Sequence, residues 1–286
     1  MKKWLKRISV IFLLGFLALL LIGGYAYFIE PRRLVVNENV LSVPHWSANL
    51  NGFKIVAISD IHGGSNYVTE ERLRELVATA NAQNPDLIVL LGDYISERFR
   101  DHKNLRMPVE TIGENLKGFQ ARYGVYAVIG NHDWWYNEQK VRTEFEKAGI
   151  KFLENEAVSF DAANGEKIWL LGIEDFWKRR RVEVSEAMRQ IEPKKNIIAI
   201  THNPDSLLQS PAEISLLLAG HSHGGQVSFP LYGPVAFVND RRFMKGEAVV
   251  DGKHVFVTSG VGCTGPPIRF GVPPEIAVLQ INSKSE

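Results

Sequence analysis

The sequence predicts an α/β fold built on a largely parallel sheet with helices packed over it. Three observations predict it. Five short apolar runs, Phe53–Ser59, Leu87–Leu91, Val125–Ile129, Ile197–Thr201 and Ile214–Ala219, are continuous rather than alternating, as in strands buried on both faces. Stretches of helical period lie between several of them. Each run is also followed by residues of metal-ligand type, and such sheets collect ligands beyond the carboxyl ends of their strands.

The first element is an apolar segment. The 22 residues from Ile8 to Ile29 carry no charge. As a helix rising about 1.5 Å per residue they reach about 33 Å, enough for a hydrocarbon core of about 30 Å. Lys2, Lys3, Lys6 and Arg7 precede the segment, and Arg32 and Arg33 follow it beside Glu30. The heavier basic cluster is expected to stay cytoplasmic, giving a single-pass protein of the inner or cytoplasmic membrane with its bulk extracytoplasmic. Tyr25, Tyr27 and Phe28 stand where interfacial aromatics belong. A cleaved signal peptide is the rival, with Gly24-Tyr25-Ala26 as a weak small-x-small site after a run long for an h-region. Residues 1–30 are thus a basic tail and anchor, 31–50 a linker running into an extended segment, and 51–286 one catalytic domain.

Within that domain, Leu73, Leu76, Val77 and Ala80 repeat at helical spacing over Thr69 to Asn81, with Thr69 as N-cap. Val141, Phe145 and Ala148 mark a second helix over Asn137 to Ala148, stopped by Gly149. A third runs from Glu183 to Ile191, before Pro193. Hydrophobic residues at 45%, charged residues at 23% and a net charge of +1 fit a globular domain and offer no surface for tracking nucleic acid, so no nucleic-acid partner is expected. The one cysteine, Cys263, excludes an internal disulfide and a thiolate cage, so any metal site draws on His, Asp, Asn or Glu.

Those residue types follow the strands in order: Asp60-Ile61-His62, Gly92-Asp93, Gly130-Asn131-His132-Asp133, His202, and Gly220-His221-Ser222-His223. Singly, each has an ordinary explanation as a turn former, a helix cap or a hydrogen-bonded histidine. Ordinary explanations do not predict that all five sets fall directly after strands.

The ordered set resembles the calcineurin-like metallophosphoesterase superfamily over about residues 51 to 280. The anchor and Gly224-Gly225-Gln226 are similar to its membrane-anchored bacterial phosphodiesterase branch, which includes UDP-2,3-diacylglucosamine pyrophosphatase-type enzymes. The resemblance implies a four-layer αββα sandwich and two divalent metal ions, with Mn, Fe and Zn all suited to oxygen and imidazole ligands. It implies that Asp60, His62 and His223 hold one ion, that Asn131, His202 and His221 hold the other, and that Asp93 bridges. Two such ions can share a hydroxide and clamp both oxygens of an in-line displacement. By the same resemblance His132 protonates the leaving oxygen or stabilises the transition state, and Asp133 orients His132 or its loop. Many members carry a further Asp three residues after Gly-Asp; here Ser96 stands there.

Two other patterns compete. Gly220-His221-Ser222-His223-Gly224 matches a nucleophile elbow, with Asp240, Asp251 and His254 downstream in Ser-acid-His order. An elbow needs a helix next, and Gly225 to Pro230 reads as a turn and short strand. Gly260-Val-Gly-Cys-Thr-Gly265 matches G-x-G-x-x-G but runs into Pro266-Pro267, so no helix N-terminus is available for a phosphate and the segment is a loop at the rim of the site.

Phe176-Trp177-Lys178-Arg179-Arg180-Arg181 is either a solvated loop or a basic surface for headgroups or a distal phosphate. Trp134-Trp135-Tyr136 either walls the cleft or packs the core. The expected function is hydrolysis of a phosphodiester or pyrophosphate bond on a lipid-linked or nucleotide-linked envelope substrate such as UDP-2,3-diacylglucosamine. The predicted external domain disfavours a cytoplasmic nucleotide-linked precursor, which keeps a general phosphodiesterase or phosphomonoesterase as the alternative. A serine hydrolase and a non-catalytic binding module are the remote ones.

Overall fold

The computed structural model describes residues 2–99, 101–235 and 240–284; positions 1, 100, 236–239, 285 and 286 of the expected segments lie outside these. In chain order the strands are β1 (Val35–Val43), β2 (Phe53–Ile58), β3 (Leu87–Leu90), β4 (Val125–Ala127), β5 (Lys151–Phe152), β6 (Glu156–Asp161) and β7 (Lys167–Gly172). They continue with β8 (Ile197–Ile200), β9 (Leu216–Ala219), β10 (Ser228–Phe229), β11 (Gly233–Pro234), β12 (Gly246–Val250), β13 (Lys253–Val257) and β14 (Glu275–Ser283). The helices are α1 (Lys2–Gly24), α2 (Glu70–Ala82), α3 (Val109–Asn115), α4 (Asn131–Tyr136), α5 (Glu138–Glu146), α6 (Phe176–Arg179) and α7 (Ser185–Gln190).

Two six-stranded sheets run β1-β14-β2-β3-β4-β5 and β12-β13-β9-β8-β7-β6. Strands β2 to β5 are mutually parallel, as are β7, β8, β9 and β13, so each sheet presents a row of carboxyl ends on one edge. Period-two alternation within the apolar runs builds the layers. Ile55 and Ala57 of β2 pack inward against Ile198, Ile200, Leu216 and Leu218 of the second sheet. Val56 and Ile58 point outward to Leu73, Leu76 and Phe145 of α2 and α5. On the far side, Ala199, Leu217 and Val257 meet Ala187 and Met188 of α7. Helix, sheet, sheet, helix is the αββα sandwich that the resemblance implies.

The helix signals translate with small shifts at the ends. The Thr69 side chain accepts from Arg72 N at 3.3 Å and starts α2, and Asn137 accepts from Lys140 N at 3.0 Å and starts α5. The extended part of the segment 31–50 is β1, nine residues paired in parallel with β14 at the opposite end of the sequence. Only Leu41 and Val43 of β1 are fully buried, so this edge strand lacks the apolar density of the inner ones. Before it, α1 passes through a π-helical turn at Tyr25–Ile29 and a 3-10 turn at Glu30–Arg32. Residues Lys3–Arg32 form a helical stretch long and apolar enough to cross a membrane, exposed along its apolar window and with Ala26, Glu30 and Pro31 buried near its end.

Candidate metal centre

The carboxyl ends of β2, β3, β4, β8 and β9 converge where the two sheets meet, and the sequence-predicted residues leave from those ends. Asp60, His62, Asp93, His221 and His223 have φ between 47° and 69°, a left-handed conformation that side-chain-bearing residues rarely adopt. Such strain is held where surrounding structure over-determines it, commonly at functional sites. Close backbone approach makes it feasible. A Cβ on Gly130 would collide with the backbone and carboxylate of Asp93, and one on Gly220 would collide with Ser59 Oγ and Asp60 Oδ2.

Two groups of side chains result. In one, His223 Nε2 lies 3.3 Å from Asp60 Oδ1 and 3.2 Å from His62 Nε2. In the other, His202 Nε2 lies 3.1 Å from His221 Nδ1 and 3.2 Å from Asp93 Oδ2. Asp93 Oδ2 is also 3.8 Å from His62 Nε2, so it faces both groups. Asp60, His62 and His223 meet the spacing of a metal-binding cluster, and so do Asp93, His202 and His221. Asn131 is buried beside them with its Oδ1 accepting no hydrogen bond, and Asp60 Oδ1, though 3.3 Å from His223 Nε2, accepts none either. All seven predicted ligands are therefore brought to one place.

The donor chemistry fits divalent cations. His62 donates from Nδ1 to Ile95 O at 2.9 Å and His202 from Nδ1 to Leu91 O at 2.7 Å, which aims each Nε2 at the cluster. Burial, then the positive field of neighbouring histidines, pushes His62 down to about 4 and His221 to about 3, so both are neutral donors at neutral pH. Burial likewise holds His223 well below the usual imidazole range. His202 behaves oppositely: burial opposes its charge, but the Asp93 carboxylate outweighs that and holds it up at about 10. In the metal-free protein a proton thus sits between His202 and Asp93, where a cation would displace it. Burial raises Asp60 to about 6, and a buried carboxylate oxygen with no donor is stabilised by a cation.

His132 stands at the edge, its side chain 19% exposed, with its backbone N–H donating to Asp93 Oδ1 at 2.8 Å. Its Nδ1 meets Glu97 Oε2 at 2.9 Å. Burial opposes its charge, yet Asp93 and the Glu97 bond hold it up at about 9. Asp133 does not contact that ring. Its carboxylate accepts from the backbone N–H groups of Asp93, Tyr94, Ile95 and Gly130, so it ties the β3 and β4 loops together. Of the two roles expected for Asp133, its contacts are with the loop.

Sequence reasoning missed two residues. Glu97 is the neighbour of the Ser96 that departs from the family pattern, and Glu97 supplies the carboxylate that position lacks. Arg269 is fully buried and donates to the carbonyls of Ser259, Gly260, Gly262 and Val272. That holds the glycine loop 260–265 against the Asp60 loop, where Gly262 N donates to Asp60 O at 2.6 Å. The only sequence signal for Arg269 was an isolated arginine among prolines and glycines.

The competing patterns resolve. Ser222 Oγ donates to Met244 O at 2.6 Å, Asp240 is engaged by Arg242, and His254 faces Glu247, so the elbow triad is not assembled. A three-residue 3-10 turn follows Ser222 in place of the helix an elbow needs. In the basic loop, Lys178 pairs with Glu138, Glu154 and Glu174, and Arg179 and Arg181 with Glu183, which neutralises most of its charge. Its aromatic Trp177 is the part that reaches the cluster, edge-on to His221 at 4.5 Å between ring centres. Trp135 packs edge-on to His132 at 5.1 Å, whereas Trp134 is bonded to Asp175 and Trp134 and Tyr136 pack on the core. Trp135 and Trp177 line, with His62, Asp93, Asn131 and His132, one cavity of about 1710 Å³.

The family model described as calcineurin-like phosphoesterase matches residues 53–225, which contain every residue of the cluster. An uncharacterized metallophosphoesterase of Bacillus subtilis (strain 168), YkuE, is 30% identical over 266 residues, covering 91% of this chain and 90% of the relative. Phosphodiesterase YaeI of Escherichia coli (strain K12) is 28% identical over 263 residues, 90% of this chain and 92% of the relative. A transmembrane protein with metallophosphoesterase domain from Danio rerio is 30% identical over 91% of this chain and 59% of its own length. Family membership and the clustered donors agree on a hydrolase of phosphoric esters that works with two divalent metal ions. By a match spanning more than half its length, this chain belongs to the calcineurin-like phosphoesterase family.

Proposed function

We propose that the protein is a membrane-anchored phosphodiesterase whose cations are held by Asp60, His62 and His223 on one side and Asn131, His202 and His221 on the other, with Asp93 shared. The observation that carries this is the position of Asp93 Oδ2 between His62 and His202, with unpartnered oxygens of Asp60 and Asn131 beside it. When bound, the cations supply Lewis acidity at the phosphoryl group and an activated water at neutral pH.

The chain's own residues do the rest. His132, fixed through Nδ1 by Glu97, presents Nε2 to the leaving oxygen with a proton retained at neutral pH. Asp133 keeps the Asp93 and Asn131 loops in register by spending its carboxylate on backbone N–H groups. Trp135 and Trp177 wall the cavity and pack against an apolar or aromatic substituent of the ester.

A diester or pyrophosphate with bulky groups on both sides suits a cavity of about 1710 Å³ better than a small monoester, since sites for small molecules run to about 1,000 Å³. The name of the Escherichia coli relative, a phosphodiesterase, supports the same choice. Residues 8–29 span the membrane with Lys2, Lys3, Lys6 and Arg7 on the cytoplasmic side, leaving the hydrolase extracytoplasmic. A lipid-linked phosphoester of the envelope is then the substrate class within reach, and the same orientation disfavours a cytoplasmic nucleotide-linked glycolipid such as UDP-2,3-diacylglucosamine, which serves as the contrasting compound in an assay.

The test uses the full chain in detergent with bis(p-nitrophenyl) phosphate. Hydrolysis is expected, abolished by EDTA and restored by Mn, while His132→Ala retains metal and loses at least about 100-fold in kcat. Activity that survives EDTA but is lost to a serine-directed inactivator would overturn the reading.

A further inference from the structure

The mouth of the cavity adjoins the end of the apolar helix. Tyr27 lines the cavity together with Phe229 and Val235, which flank the β10–β11 hairpin. The linkage is direct. Arg269 N donates to Ala26 O at 3.0 Å, the Tyr25 ring meets the Phe270 ring edge-on at 6.1 Å, and Phe270 meets Phe229 at 5.0 Å. Ser228 N donates to Phe270 O at 2.7 Å, so the hairpin is one side chain away from the helix end. On the other flank, Asn66 donates to Tyr27 O at 3.2 Å and to Pro267 O at 2.7 Å. The helix is thus fastened to the cavity rim, not joined by a free tether.

At the tip of that hairpin Leu231 is 109% exposed and Tyr232 is 79% exposed. On the helix end Phe28 and Ile29 are more than half exposed. Large apolar side chains exposed on two linked elements mark surfaces that water does not normally cover. Phe28 and Ile29 belong to the segment of membrane-spanning length, the hairpin is tied to that segment through Phe229, Phe270 and Tyr25, and a tyrosine beside a leucine at such a boundary suits the headgroup region of a bilayer.

We propose that the β10–β11 hairpin, through Leu231 and Tyr232, is a second bilayer contact beside the Phe28–Ile29 helix end, so that the cavity opens at the lipid headgroup plane. A phosphodiester carried on a membrane lipid then reaches the cation cluster from the bilayer surface, with its acyl part still in the lipid. The proposal rests on the membrane-spanning part of the function given above and adds the contact and the direction of entry.

Depth-dependent quenching tests it on the full chain in phosphatidylglycerol/phosphatidylethanolamine vesicles. Leu231→Cys and Val235→Cys are labelled with a fluorophore, and the unsubstituted chain controls for Cys263, which is buried. Lys194→Cys, exposed before the start of β8 and so at the opposite edge of the sheets, is the reference. Lipid-borne nitroxides are expected to quench the label at 231 at least about fivefold more than at 194, with headgroup nitroxides quenching the label at 235 as well. Quenching at 231 no greater than at 194 would overturn the contact, including the case where another protein covers the hairpin. Carbonate extraction separates the two claims. A chain released by carbonate refutes the spanning segment, whereas a retained chain with an unquenched hairpin refutes this proposal alone.

Discussion

Glu97 shows how His132, the histidine proposed as the general acid, can be served by a residue outside the recognisable pattern. Its carboxylate reaches His132 Nδ1 where Glu97 bridges to Leu105, and it holds His102 with its other oxygen at 3.0 Å. Glu97→Gln is expected to lower kcat about 10- to 100-fold on esters with poor leaving groups and to change little on a nitrophenyl ester. Metal content should stay unchanged, and Glu97→Asp should recover part of the loss. An equal loss on both kinds of ester would show that Glu97 merely supports the loop. His202 gives a pH prediction. Raised from 6.5 to about 10 by Asp93 against the cost of burial, it is protonated in the metal-free protein at neutral pH. Its pairing with Asp93 stabilises that form fully below 6.5, and the stability is lost as pH rises through about 10. Metal uptake at pH 7.5 should therefore release about one proton, read as a buffer-dependent heat in titration calorimetry. A heat independent of buffer would contradict the pairing. The seven cluster residues were legible because each directly follows an apolar run. Glu97 and Arg269 were not, because their partners are set by loop paths that no local period encodes.

Strand ends are the elements that make the site, and glycine sets how closely they approach. Gly130 lies so near Asp93 that a methyl group there must displace the β3 or β4 loop. Gly130→Ala is expected to cost about 1–3 kcal/mol, the usual range for overpacking a tight contact, and to lower metal occupancy with it. Chemical denaturation and metal analysis on one preparation check both; normal stability with full occupancy would mean that the loops have room. Inner strands such as β2 and β8 could be read from sequence because four consecutive buried residues leave no ambiguity of face. The extended chain at β1 was legible but its place in the sheet was not, since its partner β14 lies about 240 residues away and its inward face carries Asn37 and Asn39 before Leu41 and Val43. Pairing at that distance is a tertiary event with no local signature.

The two sheets divide the cluster between them at the scale of the whole molecule. The first sheet carries Asp60, His62, Asp93 and Asn131; the second carries His202, His221 and His223. The inter-sheet core, in which Leu87, Val89 and Leu91 of the first sheet share one cluster with Leu216 and Leu218 of β9, is therefore what assembles the donors. Cations bound across that seam tie the sheets together, so their removal weakens the fold as well as the chemistry. The apolar helix, seated in a bilayer as proposed, adds an outer constraint by fixing which way the cavity faces. The central claim is that two cations share Asp93, and metal analysis of purified full-length chain beside Asp93→Ala tests it most directly. The account predicts about two equivalents per active chain, and loss of at least one equivalent together with activity in Asp93→Ala. An Asp93→Ala chain that keeps both metals and normal turnover would contradict it.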